Sequence, residues 1–112
     1  MKSGGLILAG ALGALCCTPV SADETLAKSR NCLFCHAVDN KLVGPAFKDI
    51  AARYSGQRGA QARLAQRILS GGKGVWVKEL GSEIPMPPST LVKQDEAARL
   101  SKWILALKKE RN

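Results

Sequence analysis

The chain is poor in the residues on which many functions depend. It has 112 residues, of which one is histidine, two are methionine and 4% are aromatic. A single histidine excludes any site that takes two imidazoles from this chain. The length indicates one domain and excludes a multidomain enzyme or a polytopic membrane protein. With 46% hydrophobic and 23% charged residues, the composition is not that of a disordered chain.

The chain also lacks an apolar run long enough for a membrane-spanning helix, which needs about 20 residues. The run from Leu6 to Leu15 is shorter and follows the positive charge of Lys2, and Val20-Ser21-Ala22 offers small residues for cleavage. This pattern predicts a secretory signal peptide in residues 1–22 and a mature domain in residues 23–112. We therefore expect export to the periplasm without stable membrane insertion. Lipid modification at Cys16 or Cys17 fits less well, because neither follows a leucine and two small residues.

After removal of the signal peptide, two cysteines remain, in the motif Cys32-Leu33-Phe34-Cys35-His36. Two cysteines exclude a scaffold of several disulfides, and this spacing is the attachment signal for c-type haem. The two thiols add to the two vinyl groups on one edge of the porphyrin, and the adjacent histidine is then held beneath the iron. The motif therefore predicts one haem c, bound covalently through Cys32 and Cys35.

Three other interpretations of the motif are weaker. A thiol–disulfide redox site belongs in a βαβ fold, which this sequence does not indicate. A structural zinc site needs four protein ligands, and the mature chain offers three within five residues. A plain structural disulfide between Cys32 and Cys35 remains a further alternative.

The second axial ligand of the iron is predicted by counting. His36 is the only histidine, and Met86 is the only methionine outside the signal peptide. Met86 lies in Ile84-Pro85-Met86-Pro87-Pro88, where the prolines stiffen the backbone around a weak thioether ligand. His/Met ligation fills both axial positions and raises the reduction potential, which favours electron transfer over catalysis. A lysine ligand or an open position remains an alternative.

Helical spacing of apolar residues predicts an all-α fold of three or four helices. The first helix is expected from about Glu24 to Arg30 with Asp23 at its N-cap, and another is expected to begin at Pro45. Two more are expected over about residues 60–70 and 93–109, the second with Ala97, Leu100, Ile104 and Leu107 along its apolar face. The proline-rich segment of residues 71–89 should be irregular.

The motifs CLFCHAVDNKLVGPAFKDIAARYSGQRGA, GVW and IPMPP resemble the class I cytochromes c, especially the short bacterial periplasmic c-551 type. The resemblance covers nearly the whole mature chain and implies helices wrapped around one covalently attached haem. It implies that His36 is the proximal ligand, Met86 the distal ligand, and the Pro45 carbonyl the acceptor for the outer N–H of His36. It further implies that Arg67 and Trp76 bind a haem propionate.

The sequence departs from this family at two places. Residues 77–83, between Trp76 and the proline–methionine turn, make that segment about five residues longer than the family pattern, and long surface loops cost little stability. Ser89 stands where the family often has an asparagine that bonds the methionine sulfur. The extra residues affect the expected partner surface more than the ligation.

The charge of the chain bears on its partners. The formal net charge is +8 with a pI near 9.7, but the basic residues are spread along the chain and export argues against nucleic acid. We expect a monomer that meets redox proteins with acidic docking surfaces, by resemblance a nitrite reductase or a terminal oxidase among the acceptors. A small apolar rim is expected from Leu33, Phe34, Leu42, Val43 and Pro87.

The alternative function is a haem-based sensor or ligand-binding module in which Met86 is displaceable.

Overall fold

The computed structural model describes residues 3–5, 10, 13, 21–80 and 84–108. Most of the expected signal peptide, residues 81–83 of the expected insertion and the last four residues lie outside the described residues. The described part contains five α-helices and a single 3₁₀ turn over Cys32–Phe34. The helices are α1 (Ala22–Ser29), α2 (Phe47–Tyr54), α3 (Ala60–Ser70), α4 (Trp76–Leu80) and α5 (Gln94–Ala106). Strand pairing in the described part is limited to two isolated bridges, and the all-α prediction is confirmed.

The starts of the first two helices differ from their prediction. Ser21, not Asp23, is the N-cap of α1, and its Oγ accepts a hydrogen bond from the Glu24 N–H at 3.0 Å. The α2 helix begins at Phe47 after Ala46 as N-cap, not at Pro45. The helix cannot include Pro45, because its carbonyl is directed to the site described below.

The segment of residues 71–89 is not irregular throughout. The helix α4 occupies Trp76–Leu80, because the prolines that prevent helix formation begin only at Pro85. From Ile84 onward the described chain carries no helix until α5 begins at Gln94. That last helix ends at Ala106, short of the Lys109 expected from the sequence.

The hydrophobic core forms where α5 crosses α1, α2 and α3. The face of α5 predicted from apolar spacing is buried, with Ala97, Leu100 and Ile104 at most 5% exposed. Phe47 of α2 meets Trp103 of α5 edge to face, with ring centroids 5.5 Å apart. This packing fixes the chain just after Pro45 against the last helix. Among the described residues no helix is long and apolar enough to cross a bilayer.

An ion pair ties the chain before Cys32 to α5. Arg30 Nε and Nη2 donate to the Glu96 carboxylate at 3.0 and 2.6 Å. The Lys93 N–H donates to the same carboxylate at 3.1 Å, and this hydrogen bond caps the N-terminus of α5. The Arg30 hydrogen bonds, followed by the one from the Lys93 N–H, lower the pKa of Glu96 from 4.5 to about 2.

This ion pair predicts an acid-sensitive contribution to stability. The pKa of Glu96 is lower in the folded protein, so its contribution is complete above pH 4.5 and is lost as the pH falls toward about 2. We expect a Glu96→Gln variant to show a flatter decline in unfolding free energy over that range. Denaturant unfolding at several pH values measures this decline, and Glu24→Gln in α1 is the control. Equal slopes for Glu96→Gln and the parent chain would contradict the assignment.

Candidate functional site

The motif residues are brought together by one tight turn. Asn31 adopts φ +65°, a left-handed conformation that asparagine tolerates better than most residues, and the 3₁₀ turn follows immediately. The Cys32 carbonyl then accepts hydrogen bonds from the N–H groups of Cys35 at 3.3 Å and His36 at 3.0 Å. Both cysteines are half-buried free thiols, so this turn presents two sulfur atoms and one imidazole from five consecutive residues.

The His36 ring is held on two sides. Its Nδ1 lies 2.7 Å from the carbonyl oxygen of Pro45, the atom implied by the resemblance. Because a carbonyl oxygen only accepts, this contact places the proton on Nδ1 and leaves the lone pair of Nε2 free for a metal. The ring of Phe47 stacks on the imidazole at a centroid distance of 5.1 Å. Burial lowers the pKa of His36, and the Pro45 contact opposes that shift.

The position before Pro45 must be a glycine, because a side chain there would collide with the imidazole. A Cβ at this position would lie 2.6 Å from His36 Cε1 and 2.9 Å from Nδ1. The Gly44 N–H donates to the Cys35 carbonyl at 2.7 Å, so the backbone cannot easily withdraw. The Gly44-Pro45 pair therefore serves as a wall along the imidazole, a role different from the helix start that its sequence suggested.

Two adjoining cavities of about 330 and 210 Å³ share a wall formed by four residues: Cys35, His36, Met86 and Pro87. The larger lies within the range of small-molecule and cofactor sites. The histidine and the methionine singled out by counting thus line the same space, beside a cysteine of the motif. Cys32 lines the smaller cavity only.

The backbone of Met86 is fixed by a pair of hydrogen bonds to Gly72. The Gly72 N–H donates to the Met86 carbonyl at 2.8 Å, and the Met86 N–H donates back at 3.1 Å. The side chain is half-buried and packs against the core. The chain beyond α3 therefore determines where the methionine lies.

Positive charge collects around the larger cavity. Arg63, Arg67 and Lys73 line it, and no Asp or Glu from the described ranges does so. The cavity also reaches Trp76, the other residue expected to contact a propionate. Arg53 lies over the Trp76 ring, 5.0 Å from its centroid, and so holds the start of α4 close to α2.

Sequence reasoning missed several contributors to this site, among them Lys73, which lines the larger cavity. Arg63 lies one helical turn before Arg67 on α3, and that spacing was the signal that could have found it. Tyr54 lines the same cavity from the end of α2. Glu79 of α4 pairs with Arg53, a contact between residues far apart in sequence that no local pattern predicts.

The alternative chemistries for the cysteine pair find little support. Burial raises the pKa of the Cys32 thiol, whereas redox-active thiols have a lowered pKa. No group of three or more His, Cys, Asp or Glu side chains suited to a metal ion occurs among the residues with described positions. The expected apolar rim is present in part: Phe34 is 78% exposed, and Leu42 and Val43 are 48% and 41% exposed. Pro87 is also exposed, while Leu33 is half-buried.

The residues present fit a haem. Gly44 packs against the imidazole without a side chain that would enter the site, and the larger cavity is mainly apolar with a basic edge. An apolar space suits the macrocycle, and buried carboxylates require cations or hydrogen-bond donors. Cys35, His36 and Met86 all border that space.

Known proteins resemble this chain closely. A family model described as cytochrome c matches residues 23–108. Cytochrome c2 of Rhodocyclus tenuis is 51% identical over 88 residues, which are 78% of this chain and 95% of the relative. Cytochrome c-551 of Pseudomonas aeruginosa is 53% identical over 85 residues, 76% of each chain. The crystal structure of Nitrosomonas europaea cytochrome c552 superposes with a TM-score of 0.68 at 48% identity, covering 75% of this chain and 98% of that one.

Proposed function

Because this chain belongs to the cytochrome c family and carries one haem c bound covalently through Cys32 and Cys35, we propose that it is a periplasmic one-electron carrier. It is a class I c-type cytochrome, and these are electron carriers rather than enzymes. The observation that carries the proposal is the position of His36 and Met86 on the walls of the same two cavities. Haem c supplies a one-electron couple between ferric and ferrous iron.

In this proposal, His36 Nε2 is the proximal ligand and Met86 Sδ the distal ligand. The 2.7 Å contact with Pro45 orients the imidazole and makes it a stronger donor. The Gly72 hydrogen bonds fix the backbone of Met86, and the Pro45 contact orients the imidazole, so both side chains would keep their positions in the ferric and ferrous proteins. A small structural change on oxidation favours fast electron transfer, and a filled coordination shell excludes small substrates.

We propose that Arg67 and Trp76 hold the haem propionates, with Arg63, Lys73 and Tyr54 as further polar groups of the same cavity. Cations beside the propionates offset their negative charge in a largely apolar space. The same positive potential destabilises the ferric state and so contributes to a high reduction potential.

The proposed partners are redox proteins with acidic docking surfaces, which the net positive charge of residues 23–112 favours. Salt would weaken such steering. By family resemblance, a nitrite reductase or a terminal oxidase is the proposed acceptor.

We also propose that residues 1–22 are the cleaved signal peptide. Asp23 would then replace Ser21 as the first residue available to cap α1.

The absorption spectrum of the exported protein tests this function, oxidised and reduced, with and without carbon monoxide. We expect sharp c-type bands on reduction, a ferric band from thioether ligation, and no response to carbon monoxide. A spectral shift with carbon monoxide in the native ferrous protein would contradict His/Met ligation and favour a sensor. Haem that leaves the chain on denaturation would contradict covalent attachment.

A further inference from the structure

The joint between α3 and the Met86 segment consists of two glycines in conformations that other residues rarely adopt. The α3 helix ends at Ser70, and Gly71 follows with φ +65° and ψ −159°. Gly72 has φ +125°, also in the region that favours glycine. Gly72 makes both backbone hydrogen bonds to Met86, so any movement of this joint is transmitted to the methionine.

One side chain braces this joint. Arg67, in the last turn of α3, donates from Nη1 to the Gly71 carbonyl at 3.0 Å. The guanidinium also lies against Gly72, where a Cβ would collide with Nη1 and lie 3.6 Å from Cζ. A Cβ on Gly74 would lie 4.0 Å from the same Cζ. Arg67 therefore hydrogen-bonds Gly71 and lies against Gly72, with Gly74 close by.

The neighbouring cavity arginine makes different contacts. Arg63 donates to the Arg58 carbonyl at 2.8 Å and to the Gln57 side chain at 3.1 Å, both in the connection between α2 and α3. It lies one helical turn from Arg67 and lines the same cavity, but none of its described hydrogen bonds reaches the glycine joint. Of these two cavity arginines, only Arg67 has a described hydrogen bond to the joint.

We propose that Arg67 is a positioning residue for the distal ligand: it fixes the Gly71-Gly72 joint and thereby holds Met86 at the iron. This role is separate from its charge toward a propionate, and it rests on the proposed ligation by Met86. Exogenous ligands bind the iron only in the fraction of molecules whose methionine has moved away. Loss of the brace enlarges that fraction, and apparent ligand affinity rises in proportion.

The test is a titration of the ferric holoprotein with imidazole, followed through the thioether band. We expect Arg67→Leu to raise the apparent imidazole affinity about fivefold, the effect of one lost hydrogen bond. Imidazole binds iron as the neutral base, so in a titration well above its own pKa the loss of a positive charge alone changes its binding little. The matched control is Arg58→Leu, which removes an equal charge from an exposed turn and should keep the parent affinity.

Arg67→Lys separates the brace from the charge. Lysine keeps the positive charge but lacks the planar fork that reaches Gly71 while lying against Gly72. We expect Arg67→Lys to bind imidazole more tightly than the parent chain as well. Parent-like affinity in Arg67→Lys would show that charge alone suffices and would overturn the proposal.

Amide hydrogen exchange provides a second measurement that does not depend on ligand binding. The Gly72 and Met86 N–H groups should exchange faster in the Arg67 variants, while the Gly44 N–H should not change. If the parent chain shows the thioether band but Arg67→Leu has unchanged amide exchange and unchanged imidazole affinity, the positioning role of Arg67 is refuted, while ligation by Met86 stands. A parent chain without that band would instead overturn the proposed ligation by Met86.

Discussion

Replacing Met86 by leucine should leave the haem attached and should open its iron to carbon monoxide. Leucine is close to methionine in volume, and such exchanges cost less than about 1.5 kcal/mol, so the half-buried packing of this position should persist. The thioether band should disappear, because no other methionine remains in residues 23–112. The reduction potential should fall by on the order of 0.1 V or more, since axial ligands control a range of about 0.8 V.

The control for this variant is Leu91→Ala, which truncates an apolar side chain that is 55% exposed in the same non-helical connection to α5. It should keep the thioether band, the potential and the resistance to carbon monoxide. If Met86→Leu does not bind carbon monoxide, another side chain holds the sixth position. That result would favour the lysine alternative.

The features that sequence predicted are those that depend on local spacing. The motif from Cys32 to His36 forms one turn, so its residues meet wherever the chain goes afterwards. The buried face of α5, with Ala97, Leu100 and Ile104, follows from a 3.6-residue period that does not depend on partners. The proposed distal ligand Met86 came from elimination, and the structure places it on the cavity wall.

The features that sequence missed depend on contacts between distant segments. The helix α4 lies within a stretch that glycine and proline content marked as irregular, and Arg53 of α2 fastens it through Trp76 and Glu79. Gly44-Pro45 has the sequence of a helix start, but the Pro45 carbonyl bonds His36 instead. Asp23 fits an N-cap by composition, yet Ser21 accepts the Glu24 N–H and Asp23 pairs with Arg99 of α5.

The Gly71 position determines whether the Met86 segment can pack against the end of α3. A Cβ at Gly71 would collide with the Met86 carbonyl oxygen and lie 2.6 Å from both Pro87 C and Pro88 N. These are backbone atoms, and proline limits their freedom to move. The residue also has φ +65° and ψ −159°, where a side chain adds strain.

We therefore expect Gly71→Ala to displace Met86, with loss of the thioether band or a loss of about 3 kcal/mol or more in unfolding free energy. Gly56→Ala is the matched control, since Gly56 also has a positive φ of +78° but would place its Cβ with nothing within 4 Å. Strain alone predicts a loss of about 1–2 kcal/mol for that control and an unchanged band. Denaturant unfolding of both ferric variants, followed by absorption and by circular dichroism, separates ligand displacement from global unfolding. If the two variants lose equal unfolding free energy and both keep the thioether band, the position of the Met86 backbone does not depend on close contact with Gly71.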